Sequence, residues 1–335
     1  MRRAIVTAIL TLIVSVGAEA AKKPTLKSKH LKAKPAPAKI HKEAKPGASE
    51  ISLTGKLVPG GVALATIPGT AAGDALEAEF TGGPAVVMKY KGRPAVLLAV
   101  DLDDGKTGKA KLTITRHRGE VITHFARTVM VNPKKFKKSY WGVRRPPDPD
   151  AKERLDRERE MRETIFARVT PLQYWKGFRS PLSIPLTVMS PFGQIRTYYD
   201  VEKGERGSRR HYGVDLRAIV KTAVKVKIKT KKGGTKIVAK TVTKLLPIKA
   251  IADGVVVAVT SYVGHGNIVI VDHGLGVFSF YLHLSKWKTR IGAFVEAGDV
   301  IGITGATGHA TGPHLHLTVY IRGAVVDPLA LINLL

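Results

Sequence analysis

Residues 312–321 read Gly-Pro-His-Leu-His-Leu-Thr-Val-Tyr-Ile, a turn followed by a β-prone run from Leu315 to Ile321, with two histidines two positions apart. Alternate side chains of an extended strand share a face, so His314 and His316 point the same way. Upstream, runs rich in β-branched residues recur at Gly254 to Thr260, Asn267 to Val271, Val277 to Leu282 and Val300 to Thr304, with glycines between them. This pattern predicts a compact antiparallel sheet from residue 172 to residue 335.

Two further segments of this portion carry chemistry-bearing side chains: Arg210-His211-Tyr212-Gly213-Val214-Asp215 and Tyr281-Leu282-His283-Leu284. In an extended chain His211 and Asp215 also share a face, so three short segments direct four histidines and one aspartate into one groove. Neutral imidazole and carboxylate are zinc ligands, and a catalytic zinc takes three protein ligands with a fourth position open. Two histidines and one aspartate meet that count and leave two histidines over. An imidazole pKa near 6.5 suits that surplus pair to proton transfer at neutral pH. A His-Glu-x-x-His helix, which would supply a glutamate base, does not occur in the chain.

The order of these segments and their neighbours resembles the lysostaphin-type, LytM-like zinc endopeptidases of peptidoglycan. The resemblance rests on Ser190-Pro191-Phe192-Gly193, His211-Tyr212-Gly213-Val214-Asp215, Asp253-Gly254-Val255-Val256, Gly264-His265-Gly266-Asn267 with His273-Gly274, Tyr281-Leu282-His283-Leu284, and Thr304-Gly305 through His314-Leu315-His316. It covers residues 180 to 332. It implies a LytM-like antiparallel β-sheet peptidase domain holding one Zn2+, with His211, Asp215 and His316 as metal ligands and His283 and His314 as catalytic histidines. It also implies peptidoglycan as the partner and cleavage of cross-links or stem peptides, of the D,D-endopeptidase type. The alternative is a catalytically silent wall-binding activator of another hydrolase.

His265, His273 and His309 fall in Gly-rich turns and read as turn or groove-wall residues. Neither a phosphate-binding Gly-x-x-x-x-Gly-Lys-Ser/Thr nor a dinucleotide fingerprint is present, so Gly264, Gly266, Gly274, Gly276, Gly305, Gly308 and Gly312 are expected in tight turns with positive φ. One stretch departs from the family pattern. Between Asp215 and Asp253, residues 221–245 hold nine lysines and no acid, and the run from Val224 to Thr230 faces Thr235 to Thr243 across Lys232-Gly233-Gly234. This reads as an inserted β-hairpin with one lysine-rich and one apolar face, either overhanging the groove to contact anionic wall polymer or standing solvated.

The N-terminal half reads differently. Met1-Arg2-Arg3, an apolar run from Ala4 to Val16 and Ala18-Glu19-Ala20 form a signal peptide, residues 1–20, cleaved after Ala20. Export to a periplasm or beyond follows, with no integral membrane span after cleavage. Residues 21–50 form a flexible basic tail of Lys, Ala and Pro, a second contact for anionic envelope polymer. Short β-prone runs between Ile51 and Val131 predict a small all-β domain, 51–132. Residues 133–171 form a linker with a charged helix from Pro149 to Val169, docked at one end.

The composition sets the outer limits. With 335 residues, 44% hydrophobic, 33 glycines and 6% aromatic, the chain is neither a coiled coil nor disordered overall. Its net charge of +29 points to an anionic partner, and 17 of those charges lie in residues 21–48 and 221–245. No nucleic acid is expected, because the lysine runs lack interleaved aromatics and follow an export signal. Zero cysteines exclude a disulfide framework and Cys-ligated zinc.

Overall fold

The computed structural model describes residues 51–144, 149–167, 169–201, 203–229 and 233–335; the expected signal peptide and basic tail lie outside them. The protein is mainly β, with two helices among the described residues, Pro149–Ala167 and Pro328–Leu334. Among the described residues no helix is long and apolar enough to cross a membrane.

The N-terminal half is a sandwich of two sheets. One orders Ser52–Gly55, Val62–Thr66, Arg93–Ala99 and Ala85–Tyr90; the other orders Ala75–Phe80, Gly108–Arg118 and Val121–Val131. The strand Ala75–Phe80 goes unseen in the sequence because its alanines and glutamates are poor strand formers. Between the sheets, Ala63, Ala65, Val96 and Leu98 meet Phe80, Leu112, Ile114 and Phe125.

The opposite face of the four-stranded sheet is buried too. Val62, Leu64, Leu97 and Ala99 belong to the core that contains Trp175, Leu317 and Val326 of the C-terminal half. A strand covered on both faces reads as an unbroken apolar run, which explains Ala95 to Val100.

The C-terminal half is built on an antiparallel sheet ordered Phe294–Val295, Gly254–Tyr262, Gly266–Asp272, Val277–Leu284, Leu315–Ile321, Val214–Leu216 and Val188–Ser190, with Ala324–Val326 also on Leu315–Ile321. One face carries Tyr281, Leu315, Leu317 and Val319 into the shared core. Ile268, Phe278, Phe280 and Leu282 line the other face, where the helix Pro149–Ala167 docks by its last turns. Phe166 stands 5.9, 5.7 and 4.5 Å, ring centre to ring centre, from Phe278, Phe280 and Tyr320.

This helix ends at Ala167 rather than Val169. Its Glu153 and Arg157 pair across one turn as their spacing predicts. Glu158 instead is buried and accepts the Val263 backbone N–H at 2.6 Å. Ahead of the helix, Lys138–Arg144 forms a strand parallel to Ile195–Asp200, which pairs in turn with Glu205–Arg210. The linker is thus part of a sheet beside the groove. The C-terminal helix, too short to register as a periodic pattern, is capped by Asp327, whose carboxylate accepts Leu329 N–H at 3.1 Å.

The inserted hairpin pairs Ile219–Lys229 with Thr235–Leu245 in unbroken antiparallel register, Ile219 opposite Leu245 and Lys229 opposite Thr235. That register corrects the expectation of one apolar face. Val224 lies opposite Lys240 and Ile228 opposite Lys236, so lysines interleave with the valines on that side as well. Alternation along one strand cannot reveal what the partner strand places beside it.

Candidate active site

The register of the central sheet assembles the site. Asp215 lies directly opposite His316 on one side and Ser190 on the other, and His316 lies opposite Leu282. Directly opposed side chains stand about 4.5–5.5 Å apart at Cβ, which suits two ligands of one small ion. His211 enters from the end of the neighbouring strand Glu205–Arg210. His314 sits one residue before its own strand, where it bridges Gly305.

Three donor atoms converge. His211 Nε2 is 3.1 Å from Asp215 Oδ1 and 3.0 Å from His316 Nδ1, and His316 Nδ1 is 2.8 Å from Asp215 Oδ1. Around a tetrahedral ion with bonds of about 2.0–2.1 Å, ligand atoms lie roughly 3.3 Å apart, close to this spacing. The tautomers agree as well. His211 Nδ1 faces the Pro191 carbonyl at 3.1 Å and must donate to it, which leaves Nε2 as a lone pair facing inward. His316 Nε2 lies 3.0 Å from the Thr318 hydroxyl, so its Nδ1 is left for the cluster. Imidazoles oriented by a partner on the far nitrogen are the usual support of a metal ligand.

Arg196 completes the frame. Its guanidinium donates to Asp215 Oδ2 at 2.9 Å and to Ser190 Oγ at 3.0 Å, while its flat face lies 3.9 Å from the Trp141 ring centre. Burial alone would raise the Asp215 pKa, but the imidazoles of His211, His314 and His316 set against it hold the carboxyl well below its usual range. Burial pulls His316 down to about 4, keeping it neutral.

His283 and His314 flank the cluster. Their ring centres are 4.9 Å apart, and His283 is 5.9 Å from His316. His283 has φ +64°, at a bulge where the strand pairing shifts, so its side chain leaves the pleat. Its Nδ1 donates to Thr307 O at 2.8 Å, and His314 Nδ1 donates to Gly312 O at 2.8 Å. Both Nε2 atoms are therefore free of these anchors, and that of His314 lies 3.6 Å from Asp215 Oδ1. Burial lowers the His283 pKa; burial opposes protonation of His314 too, but its bond to Asp215 outweighs it and the pKa is raised.

All five sequence-derived site residues thus come together. Gly213 is required by close approach: a Cβ there would lie 2.5 Å from His316 Nε2 and 2.6 Å from Leu317 O. Gly266, Gly274, Gly276 and Gly308 have positive φ as expected, whereas Gly264, Gly305 and Gly312 do not. Gly305 serves close packing, since a Cβ would meet Ser285 N at 2.3 Å. His309 is exposed in a turn. His273 is not a wall residue at all: it is fully buried, donating from Nδ1 to Asp253 O at 2.8 Å, with Nε2 2.7 Å from the Ser279 hydroxyl.

The N-terminal half also reaches the site. Asp103 accepts from Arg210 Nε at 3.0 Å and from the Tyr212 hydroxyl, gripping the residues on either side of His211. Asp101 accepts Val325 N–H at 2.7 Å and Asp103 and Asp104 N–H at 2.8 Å each, which fixes the loop. The sequence reading missed Asp103, Arg196 and Thr318. Only Thr318 had a local signal, since it shares a strand face with His316.

Residues 230–328 match peptidase family M23, a span that begins beyond His211 and Asp215. A stretch of 84 residues is 43% identical to the DD-carboxypeptidase/endopeptidase Mpg of Neisseria meningitidis, covering 25% of this chain and 19% of that protein. Another, of 81 residues, is 42% identical to the peptidoglycan DD-endopeptidase ShyA of Vibrio cholerae, covering 24% and 19%. The chain thus spans about a fifth of the length of these curated relatives. The crystal structure of a Pseudomonas aeruginosa protein assigned to peptidase M23 superposes with a TM-score of 0.56 at 28% identity, over 84% of this chain and 96% of that one. That share exceeds what the C-terminal half alone can supply. Over residues 230–328, within the C-terminal half, the chain is thus similar to peptidases of family M23.

Proposed function

We propose that the protein is an exported, periplasmic or secreted, zinc-dependent endopeptidase that hydrolyses peptide bonds in peptidoglycan cross-links or stem peptides, of the D,D type. The observation that carries this reading is the convergence of His211 Nε2, Asp215 Oδ1 and His316 Nδ1, with His283 and His314 beside them. The relatives named as DD-endopeptidases support the substrate class. The silent-activator alternative has no observation in its favour, since a donor set and both flanking histidines are in place.

His211, Asp215 and His316 would hold the zinc, which when bound polarises the scissile carbonyl and acidifies a water. The chain's own residues supply the rest. Arg196 and Thr318 fix the ligands, so little reorganisation is left to the reaction. His283, kept neutral by burial, offers an Nε2 lone pair to orient the attacking water and take its proton. His314, the more basic of the two, donates from Nε2 to the carbonyl oxygen as it gains charge, and a proton passes to the departing amine.

The test is digestion of purified peptidoglycan by the mature chain, with and without chelator, beside His316→Ala, followed by mass analysis of released fragments. Chelator-sensitive loss of cross-linked dimers, absent in the variant, is the expected result and names the bond. Zinc binding without any cleavage would overturn the enzymatic reading.

A further inference from the structure

The hairpin Ile219–Lys229 and Thr235–Leu245 is a two-stranded ribbon whose strands, among the described residues, pair only with each other. Its register sets Lys221, Lys225, Lys227 and Lys229 on one face, opposite Thr243, Ala239, Ile237 and Thr235, and sets Lys236, Lys240 and Lys244 on the other, among the valines. All seven lysines are exposed. Among the described residues no carboxylate pairs with any of them. An isolated ribbon is marginal in water, and its like charges repel one another, so it lacks a partner that supplies negative charge.

The arrangement selects among anionic partners. Alternate residues of a strand lie about 6.8 Å apart, so the four lysines of the first face form a line about 27 Å long rather than a pocket. A line of charges fits an extended polymer with repeated negative groups better than a single small anion. Lysines on both faces also argue against a membrane, because neither face can enter hydrocarbon without burying ammonium groups.

The ribbon's roots tie it to the active site. Leu246 N donates to Ala218 O at 3.1 Å, closing its base two residues after the strand that carries Asp215. Leu246 O in turn accepts from Thr304 N at 3.0 Å and Thr304 Oγ1 at 2.8 Å, and the next residue, Gly305, bridges His314.

We propose that this ribbon is a docking arm for the free carboxylates of peptidoglycan, holding the polymer beside the site on both lysine faces. The proposal rests on the substrate class given above. It predicts that the arm governs retention on the insoluble polymer and leaves the chemistry on a small soluble substrate unchanged.

The experiment measures co-sedimentation of the full mature chain with purified sacculi over a range of salt. Turnover is blocked by His316→Ala and, separately, by chelator on the unaltered chain. Three variants change Lys221, Lys225, Lys227 and Lys229 to Gln, Lys236, Lys240 and Lys244 to Gln, or all seven, each checked for an unchanged melting curve and an unchanged tail. Loss of binding by several-fold from either set and by about tenfold or more from all seven, with a flattened salt dependence, is expected. Amidation of the sacculus carboxylates should have the same effect, while cleavage of a soluble muropeptide stays at the unaltered rate.

Unchanged sacculus binding in the seven-fold variant, or equal binding to amidated sacculi, overturns the proposal. Lysine-dependent binding to DNA or to phosphatidylglycerol vesicles but not to sacculi overturns it too. Muropeptide cleavage with lysine-independent sacculus binding would sink the arm and spare the enzyme. Lysine-dependent binding with no cleavage by the unaltered chain would do the reverse.

Discussion

Arg196 and Asp215 form an ion pair in which the two carboxylate oxygens have separate tasks: Oδ2 receives the guanidinium at 2.9 Å, while Oδ1 faces His211 and His316 at 3.1 and 2.8 Å. The arginine therefore sets which lone pairs of Asp215 reach the metal position. Arg196→Gln should lower zinc affinity about 10–100-fold, the usual cost of losing an outer partner of a ligand. Competition against a fluorescent chelator measures this, and unchanged affinity would reduce the pair to a structural contact. Arg196→Lys should rescue only part, because an ammonium cannot lie flat on Trp141.

Asp103→Ala should loosen the grip on Arg210 and Tyr212 and so allow His211 to wander. The expected result is a fall in kcat of about tenfold, since a ligand slightly out of place costs transition-state contacts, with KM and the melting temperature little changed. A fall in KM alone would contradict this role.

A fragment beginning at Leu172 should fail to fold cooperatively. It would expose the surface of Trp175, Leu317 and Val326 that Val62, Leu64 and Leu97 cover. Binding of a hydrophobic dye with loss of near-ultraviolet dichroism is expected; a fragment with a sharp melt and bound zinc would show that the shared core is dispensable.

The buried His273 gives a pH signature. Burial pulls its pKa from 6.5 to about 4, so the folded state favours the neutral ring. A native pKa below the unfolded one means the unfolded chain binds the proton first. Stability is therefore full above pH 6.5 and declines as the pH falls toward 4, by about 3 kcal/mol at most for this group. Denaturant melts at pH 7 and pH 4.5 should differ, and His273→Gln should flatten part of that difference.

The β-rich architecture and the five converging side chains were legible in the sequence because strand periodicity and motif order are local. Val277 to Leu282 and Leu315 to Ile321 announce themselves by β-branched residues, and their histidines by spacing. What stayed hidden depends on contacts between distant segments. Asp103 lies 109 residues from Tyr212, and nothing near Asp103 marks it as part of a metal site. The strand Lys138–Arg144 reads as a charged linker because its pairing is supplied by Ile195–Asp200. The lysine pattern of the hairpin was visible one strand at a time, yet its faces are a property of register.

Leu97 and Leu98 are neighbours in the chain, yet Leu97 points into the core shared with the C-terminal half and Leu98 into the sandwich. One backbone thus belongs to two interiors, and neither can melt without uncovering a side of the same sheet. Heating should consequently reveal one calorimetric transition for the folded portion rather than two. Replacing either leucine by alanine should lower that single transition, by about 2–5 kcal/mol each. The sandwich is in this sense a thermodynamic partner of the C-terminal half, and damage to either is shared by both.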